Sequence, residues 1–130
     1  AGGLGYGFLA FLNAKLESGI QIVLEETHLE KDIKDADLVI TGEGKLDFQT
    51  AMGKAPTGVA KLAKKYGKKV IAFAGCITEG AKKCNEEGID AYFTIVPGPV
   101  SLSEAMDKDN AKKNMTAIAE QVFRLIRILY

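Results

Sequence analysis

The spacing of apolar residues changes character near residue 37 of this chain. Before that point, apolar side chains recur at helical spacing from Leu4 to about Leu16, and Gly19 is expected to end that helix. Residues 20–36 alternate like a strand at first, but their apolar positions also fit two short helices, which is the interpretation we favour. The N-terminal part is therefore expected to be helical.

Three uninterrupted apolar runs follow and alternate with helical patterns. The runs cover residues 37–41, 69–75 and 91–96. Helices are expected at 54–66, at 78–87 and from 101 onward. Apolar runs without alternation predict strands that are buried on both faces, and helices between them indicate parallel pairing. The expected fold class is α/β, a three-layer Rossmann-like or flavodoxin-like parallel sheet formed by residues 1–130 as one unit.

The helix boundaries depend on particular terminal residues. Pro56 suits the first turn of its helix, where a missing N–H costs nothing, and Gly67 suits the end. Thr78 suits the N-cap of the next helix, and Ser101 with Glu104 has the spacing of a capping box. The last helix is expected to bury Met115, Ile118, Ala119, Val122, Phe123, Ile126 and Leu129.

Composition and charge exclude several classes of function. Seventeen basic and seventeen acidic side chains leave a formal net charge of zero, so no long-range field favours nucleic acid or an anionic membrane. No apolar run approaches the roughly 20 residues of a membrane span, and a cytoplasmic location is expected. Cys76 and Cys84 are too few for a disulfide framework and are expected to be buried packing residues. The single histidine, His28, is expected to be a surface or capping residue.

The segment "TGEGKLDFQTAMGK", residues 41–54, is the strongest candidate for chemistry. It is expected to be a loop at the carboxyl edge of the sheet, where parallel α/β folds bind ligands. Gly42 and Gly44 could adopt positive φ and let a ligand approach the backbone. Free amides at the start of the next helix would favour an anion. An anionic ligand is therefore the expected occupant.

Charged side chains in this segment supply the parts that phosphoryl transfer requires. Lys45 and Lys54 add positive charge, while Glu43 and Asp47 could bind Mg²⁺ or accept a proton from a substrate hydroxyl. The alternative is a solvated loop whose charges pair with one another. Spacing excludes a Walker A motif, because Ala55 stands where a hydroxyl residue is needed, and it also excludes a dinucleotide fingerprint.

A second glycine-rich segment, "AGGLGYG", covers residues 1–7 and precedes the first helix. It could cradle an anion at the helix N-terminus, or its small residues could let helices pack closely. The residues alone do not separate these two interpretations.

The two segments together closely resemble the bacterial-type glycerate kinase family. That family carries an A-G-G-L-G loop and, downstream, a T-G-E-G-[RK]-x-D-x-Q-T-x-x-G-K-x-P segment; "VIAFAG" and "FTIVPGP" are also similar to its C-terminal region. The long motif is matched by Thr41, Gly42, Glu43, Gly44, Lys45, Asp47, Gln49, Thr50, Gly53, Lys54 and Pro56. The resemblance implies a two-domain kinase that uses ATP and Mg²⁺ to phosphorylate D-glycerate, in most bacterial members to 2-phosphoglycerate.

This resemblance gives the candidate residues their expected roles. Asp47, Glu43 and Lys45 are the candidate catalytic residues, and Glu43 and Asp47 are also the candidate metal ligands. The candidate substrate- and phosphate-binding residues are Gly2, Gly3, Gly5, Thr41, Gly42, Gly44, Gln49, Thr50 and Lys54. Which loop binds ATP and which binds glycerate is left open.

Two segments of that family, D-S-F-K-G-S and D-G-G-E-G, have no counterpart in this sequence. The expectation is a C-terminal fragment of a larger kinase, inactive without the N-terminal part that would complete its site. The competing hypothesis is a non-catalytic anion- or nucleotide-binding module with a regulatory role. In either case the expected partners are small molecules, with no nucleic acid and no membrane, and association into a homo-oligomer is left open.

Overall fold

The computed structural model describes residues 3–15 and 17–129, which form a parallel three-stranded sheet between helical layers. The helices are α1 (Leu4–Leu12), α2 (Gly19–Glu26), α3 (Leu29–Asp35), α4 (Phe48–Ala51), α5 (Ala55–Lys65), α6 (Lys83–Glu86), α7 (Leu102–Met106) and α8 (Lys108–Leu129). The strands are β1 (Leu38–Leu46), β2 (Lys69–Ile77) and β3 (Ala91–Thr94), and a 3-10 helix spans Glu79–Lys82. Their order in the sheet is β1-β2-β3, and both pairs are parallel.

Two apolar clusters lie on opposite faces of β2. On one face, Val70 and Ala72 pack in a cluster that includes residues of α3, α5 and α6. On the other face, Ile71 and Phe73 pack against Val122 of α8. Alternate residues of a strand point to opposite faces, so β2 is buried on both sides. The expected three-layer α/β class is confirmed.

The first strand is longer than the sequence predicted. The prediction that it stops at Thr41 was wrong, because β1 continues to Leu46 and pairs with β2 along its whole length. Neither Gly42 nor Gly44 has positive φ. A long partner strand can hold glycines in extended conformation, which local sequence preference does not reveal. Residues 41–54 are therefore half strand and half helical turn.

Most helix predictions were right in type but shifted at their ends. Helix α5 begins and ends one residue inside the predicted range, with Pro56 in its first turn and Gly67 at a φ of 66° beyond its end. Two short helices, α2 and α3, are confirmed. The role of Gly19 was wrong, because it begins α2, while Asn13 at a φ of 50° ends α1. Leu16 lies outside the described residues.

The later helices are more broken than predicted. The expected helix at 78–87 consists of the 3-10 helix and α6, and the Thr78 side chain does not cap it. The final helix is interrupted at Asp107, whose carboxylate accepts hydrogen bonds from two amides at the start of α8. The Ser101–Glu104 capping box is confirmed at the start of α7. Strand β3 ends two residues earlier than predicted.

Burial corrects several expectations. Cys84 is buried as predicted, but Cys76 is exposed near the end of β2. Strand β1 is not buried on both faces, because 46% of Ile40 is exposed. On α8, packing against the sheet is confirmed for Ile118, Ala119, Val122 and Ile126. Three other apolar side chains of the predicted buried face are exposed, namely Met115, Phe123 and Leu129.

Helix α1 is apolar along its length, yet none of its residues is buried. Its exposed large side chains are Leu4, Tyr6, Phe8, Leu9, Phe11 and Leu12. In residues 3–15 and 17–129, no helix has both the length and the apolar character that crossing a membrane requires.

Candidate functional site

Asp47 lies at the point where β1 ends and α4 begins. Its Oδ1 accepts hydrogen bonds from the amides of Gln49 (2.9 Å) and Thr50 (3.1 Å). In return, the Asp47 amide donates to the Thr50 hydroxyl at 3.3 Å. This capping box satisfies amides that the first turn of a helix leaves free. One oxygen of Asp47 is thus engaged by the backbone, while Oδ2 remains on the side of Lys45.

Two lysines flank the Asp47 carboxylate. Lys45 Nζ lies 3.6 Å from Oδ2, and Lys54 Nζ lies 3.6 Å from Oδ1. The Asp47 side chain is only 12% exposed, whereas 58% of Lys45 and 43% of Lys54 are exposed. Charge pairing, which the alternative interpretation predicted, does occur. It leaves both ammonium groups accessible to an anion from solvent.

The protonation of Asp47 follows from its surroundings. Burial alone would raise the pKa of this carboxyl, but two amides and two lysines outweigh that effect and lower the pKa below its ordinary value. The Thr50 amide and Lys54 contribute most to the lowering. Asp47 is therefore an anion at neutral pH. Such an acidic carboxyl is a weak base, so its chemistry favours holding cations over abstracting protons.

Glu43 reaches the same place from within β1. The Thr50 hydroxyl donates to Glu43 Oε1 and also lies 3.4 Å from Asp47 Oδ1. Thr50 has no exposed surface. One buried hydroxyl therefore joins the two acidic candidates, and in this chain Thr50 holds Glu43 from inside rather than facing solvent.

The corner between α4 and α5 sets the position of Lys54. Gly53 has a φ of 107°, a conformation that favours glycine, and lets the chain turn there. Lys54 is the N-cap of α5. In the first turn of that helix, the buried Thr57 hydroxyl donates to the Thr50 carbonyl at 2.8 Å. The corner thus ties the end of α4 to the start of α5.

The glycines of β1 serve different purposes. A Cβ at Gly42 would lie 2.3 Å from the carbonyl oxygen of Phe73, and one at Gly75 would lie 2.8 Å from that of Gly44. Gly42 and Gly75 therefore allow the two strands to approach closely. Among the described residues, a Cβ at Gly44 would meet no atom within 4 Å. Of the two glycines of β1, Gly44 is thus the one with open space where a Cβ would lie.

The other sequence candidates are not all brought together. Thr41 is half-buried two residues before Glu43, and Gln49 is exposed in α4. Gly3, at a φ of 88°, and Gly5 lie at the start of α1, and no hydrogen bond in the described part of the chain links them to β1 or α4. Gly2 lies outside the described residues.

A metal site is only partly built by these residues. Within residues 3–15 and 17–129, no group of three or more His, Cys, Asp or Glu side chains is arranged to hold a metal ion. Mg²⁺ often takes only one or two protein carboxylates and completes its shell with water and substrate phosphates. Glu43 and Asp47, joined by one hydroxyl, fit a Mg²⁺ ion that arrives with a phosphate ligand.

Sequence reasoning missed Thr57 and Gly75. Thr57 lies beyond the last position of the motif. No spacing rule distinguishes a threonine whose hydroxyl donates to a backbone carbonyl from one that only fills space. Gly75 carried a usable signal, because a glycine within an apolar strand run indicates a close backbone approach.

The sequence matches known proteins along nearly its whole length. The sequence model of the glycerate kinase family matches residues 1–127. A glycerate kinase of Halalkalibacterium halodurans is 49% identical over 129 residues, which are 99% of this chain and 32% of that protein. A glycerate 2-kinase of Escherichia coli K12 is 49% identical over 105 residues, which are 81% of this chain and 28% of that protein.

A solved structure is similar as well. It is the crystal structure of a protein provisionally named glycerate kinase 2 from Salmonella typhimurium LT2. The TM-score is 0.70 at 41% sequence identity, and the match covers 98% of this chain and 31% of that one. The present chain thus spans about a third of the length of the relatives it matches. Residues 41–57 lie inside the matched region.

Proposed function

Because this chain belongs to the glycerate kinase family, we propose that the protein transfers a phosphoryl group from ATP to a hydroxyl of D-glycerate. One observation carries the proposal. Two accessible ammonium groups, those of Lys45 and Lys54, are each held 3.6 Å from one largely buried carboxylate, that of Asp47. Phosphoryl transfer asks mainly for positive charge fixed around the transferring group, because the protein itself does little covalent chemistry in it. Lys45 and Lys54 would supply that charge, each beside the Asp47 carboxylate.

Asp47 and the two lysines beside it have different proposed roles in binding phosphate. Lys45 and Lys54 would contact phosphate oxygens as point charges. Asp47 would stay ionised and keep both ammonium groups in place, since its pKa is lowered. The open backbone at Gly44 would let the ligand approach β1 closely. Asp47 is thus proposed as a group that holds cations, not as the acceptor of the substrate proton.

Glu43 and Oδ2 of Asp47 are the proposed groups for holding Mg²⁺. When bound, the ion would neutralise charge on the phosphates and polarise them. The Thr50 hydroxyl donates a hydrogen bond to Glu43 and accepts one from the Asp47 amide. Thr50 would thereby keep the two carboxylates at a fixed separation. A hard cation favours such ionised oxygen ligands.

The product proposed is 2-phosphoglycerate. The support is the name of the Escherichia coli relative, a glycerate 2-kinase at 49% identity. The chain spans about a third of its relatives, so the proposed activity draws on groups from outside these 130 residues. A cytoplasmic location stays a prediction.

A direct assay tests the proposed function. The full polypeptide that the gene encodes is incubated with ATP, MgCl₂ and D-glycerate, and the position of the transferred phosphate is read by NMR. We expect ADP formation that depends on D-glycerate, with the phosphate on the 2-hydroxyl. ATP binding without turnover of D-glycerate would instead support the competing hypothesis of a non-catalytic module.

The isolated residues 1–130 are expected to have negligible kinase activity. The reason is that, within the described residues, the proposed site brings together two carboxylates and two lysines, and no group of three or more His, Cys, Asp or Glu side chains could hold a metal ion. The measurement is ADP release under the conditions of the same assay. Turnover of D-glycerate by this piece at the rate of the full polypeptide would contradict the expectation.

Lys54→Gln is expected to lower kcat/KM of the full polypeptide by about 100-fold, because removing one preorganised group at a developing charge has an effect of that order. Glutamine keeps the N-cap position and similar length but removes the charge. The matched control is Lys65→Gln, an exposed lysine at the other end of α5, which should leave kcat/KM unchanged. Equal kinetics for the two variants would remove Lys54 from the phosphate site.

A further inference from the structure

Thr57 is a buried polar residue to which the proposed phosphate site assigns no role. It is the third residue of α5 and has no exposed surface. We propose that Thr57 is a positioning residue, whose hydroxyl locks the corner between α4 and α5 and so fixes Glu43 and Lys54 relative to Asp47. This inference rests on the proposed function, because the site it positions is the proposed phosphate site.

The hydroxyl of Thr57 lies between two carbonyl groups of that corner. It donates to the carbonyl of Thr50 at 2.8 Å and lies 3.1 Å from the carbonyl of Lys54. The Thr50 carbonyl also accepts from the backbone amides of Met52, Gly53 and Lys54, the last two at a longer 3.3 Å. In the described part of the chain, the Thr57 hydroxyl joins α4 directly to α5, because Gly53 and Lys54 lie in the turn between the two helices.

Burial makes this hydrogen bond specific. A hydroxyl placed in an apolar interior without a partner is destabilising, so a position that needed only packing would be served as well by valine. At Thr57 the hydroxyl is completely enclosed and has its partner. Its presence indicates that the geometry of the corner, and not only the filled volume, depends on it.

The corner controls charged groups on two sides. On one side, the residue whose carbonyl Thr57 binds is Thr50, and the Thr50 hydroxyl donates to Glu43. On the other side, Lys54 begins α5 and reaches Asp47. Loosening the corner would move the carboxylate and the ammonium together. In a reaction that depends on fixed charge, small displacements reduce the rate more than they reduce binding.

The test compares variants that separate the hydroxyl from the methyl group of Thr57. Thr57→Val keeps the shape without the hydroxyl, Thr57→Ser keeps the hydroxyl alone, and Thr57→Ala loses both. Thr116→Val is the matched control, because Thr116 on α8 also donates to a backbone carbonyl but lies exposed. Each variant is made in the full polypeptide, and kcat, KM for ATP and for D-glycerate, and amide hydrogen exchange of residues 50–54 are measured.

We expect Thr57→Val to lower kcat about 10-fold with both KM values unchanged. A misplacement of roughly 1 Å can cost on the order of 100-fold in rate, and the expected loss is smaller because Thr57 acts on the site only through Thr50 and Lys54. Thr57→Ser should restore the rate, and Thr116→Val should keep it. Exchange of the amides of residues 50–54 should be faster in Thr57→Val and in Thr57→Ala, which both lack the hydroxyl, and unchanged in Thr57→Ser and Thr116→Val.

Three results would overturn the proposal. They are a wild-type kcat in Thr57→Val, an equal loss in Thr57→Ser and Thr57→Ala, and an equal loss in Thr116→Val. If Thr57→Val does not fold, the comparison of Ser with Ala decides, because both lack the methyl group. If the wild type does not phosphorylate D-glycerate, the proposed function fails separately, and the exchange rates still decide whether Thr57 locks the corner.

Discussion

Asp47→Asn is expected to lower kcat of the full polypeptide on the order of 100- to 1000-fold, because a fixed charge that organises the transition state is worth about that much. The fold should survive, since asparagine is as good an N-cap as aspartate. Its side-chain oxygen can still accept from the amides of Gln49 and Thr50. What disappears is the negative charge that holds Lys45 and Lys54 and faces the proposed Mg²⁺ ion.

A second N-cap aspartate provides the control for this experiment. Asp107 also accepts from two amides at the start of its helix, and it is exposed. Asp107→Asn should therefore reproduce any loss of capping energy without touching the site. Kinetics and thermal unfolding are measured for both variants. If Asp47→Asn kept the wild-type kcat, or lost it only through unfolding, Asp47 would have no part in phosphoryl transfer.

Much of this site could be predicted from sequence because it is local. The motif places Lys45, Asp47 and Lys54 within ten residues of chain, and a strand followed by a helical turn brings such residues together without help from distant parts. The capping geometry of Asp47 was not predicted. An aspartate at the N-cap typically accepts hydrogen bonds from the amides two and three residues further along, as Asp47 does from Gln49 and Thr50. The sequence therefore predicted which residues form the site, but not the hydrogen bonds that Asp47 makes there.

What the sequence did not reveal depends on contacts between distant segments. The extension of β1 to Leu46 requires β2 as a partner, and β2 lies more than twenty residues further along the chain. The burial of Thr50 and its hydrogen bond with Thr57 depend on how α4 packs against α5. The spacing of apolar residues along the chain does not predict that packing. The exposure of Cys76 was missed because a strand end in an apolar run gives no indication of which side is covered.

Gly42→Ala and Gly44→Ala are expected to differ in their effect on stability, although both residues lie in the same strand. At Gly42 the new methyl group would sit 2.3 Å from the Phe73 carbonyl oxygen, so β1 and β2 must move apart. We expect a loss of about 2–3 kcal/mol in the free energy of unfolding, the order of the cost when an added group forces the backbone to shift. At Gly44 the methyl group meets no described atom within 4 Å and φ is not positive, so stability should be unchanged.

The activity of the Gly44→Ala variant then shows whether a ligand contacts the backbone at Gly44 or no ligand does. If a phosphate ligand approaches the open backbone, the methyl group occupies its space, and KM for ATP or for D-glycerate should rise while the thermal midpoint stays that of the wild type. Gly19→Ala is the control, because Gly19 is also open and exposed but lies at the start of α2. Wild-type kinetics in Gly44→Ala would mean that no ligand contacts the strand there. The close approach of Gly42 to Phe73 would then serve strand packing alone, and phosphate recognition would rest on Lys45 and Lys54.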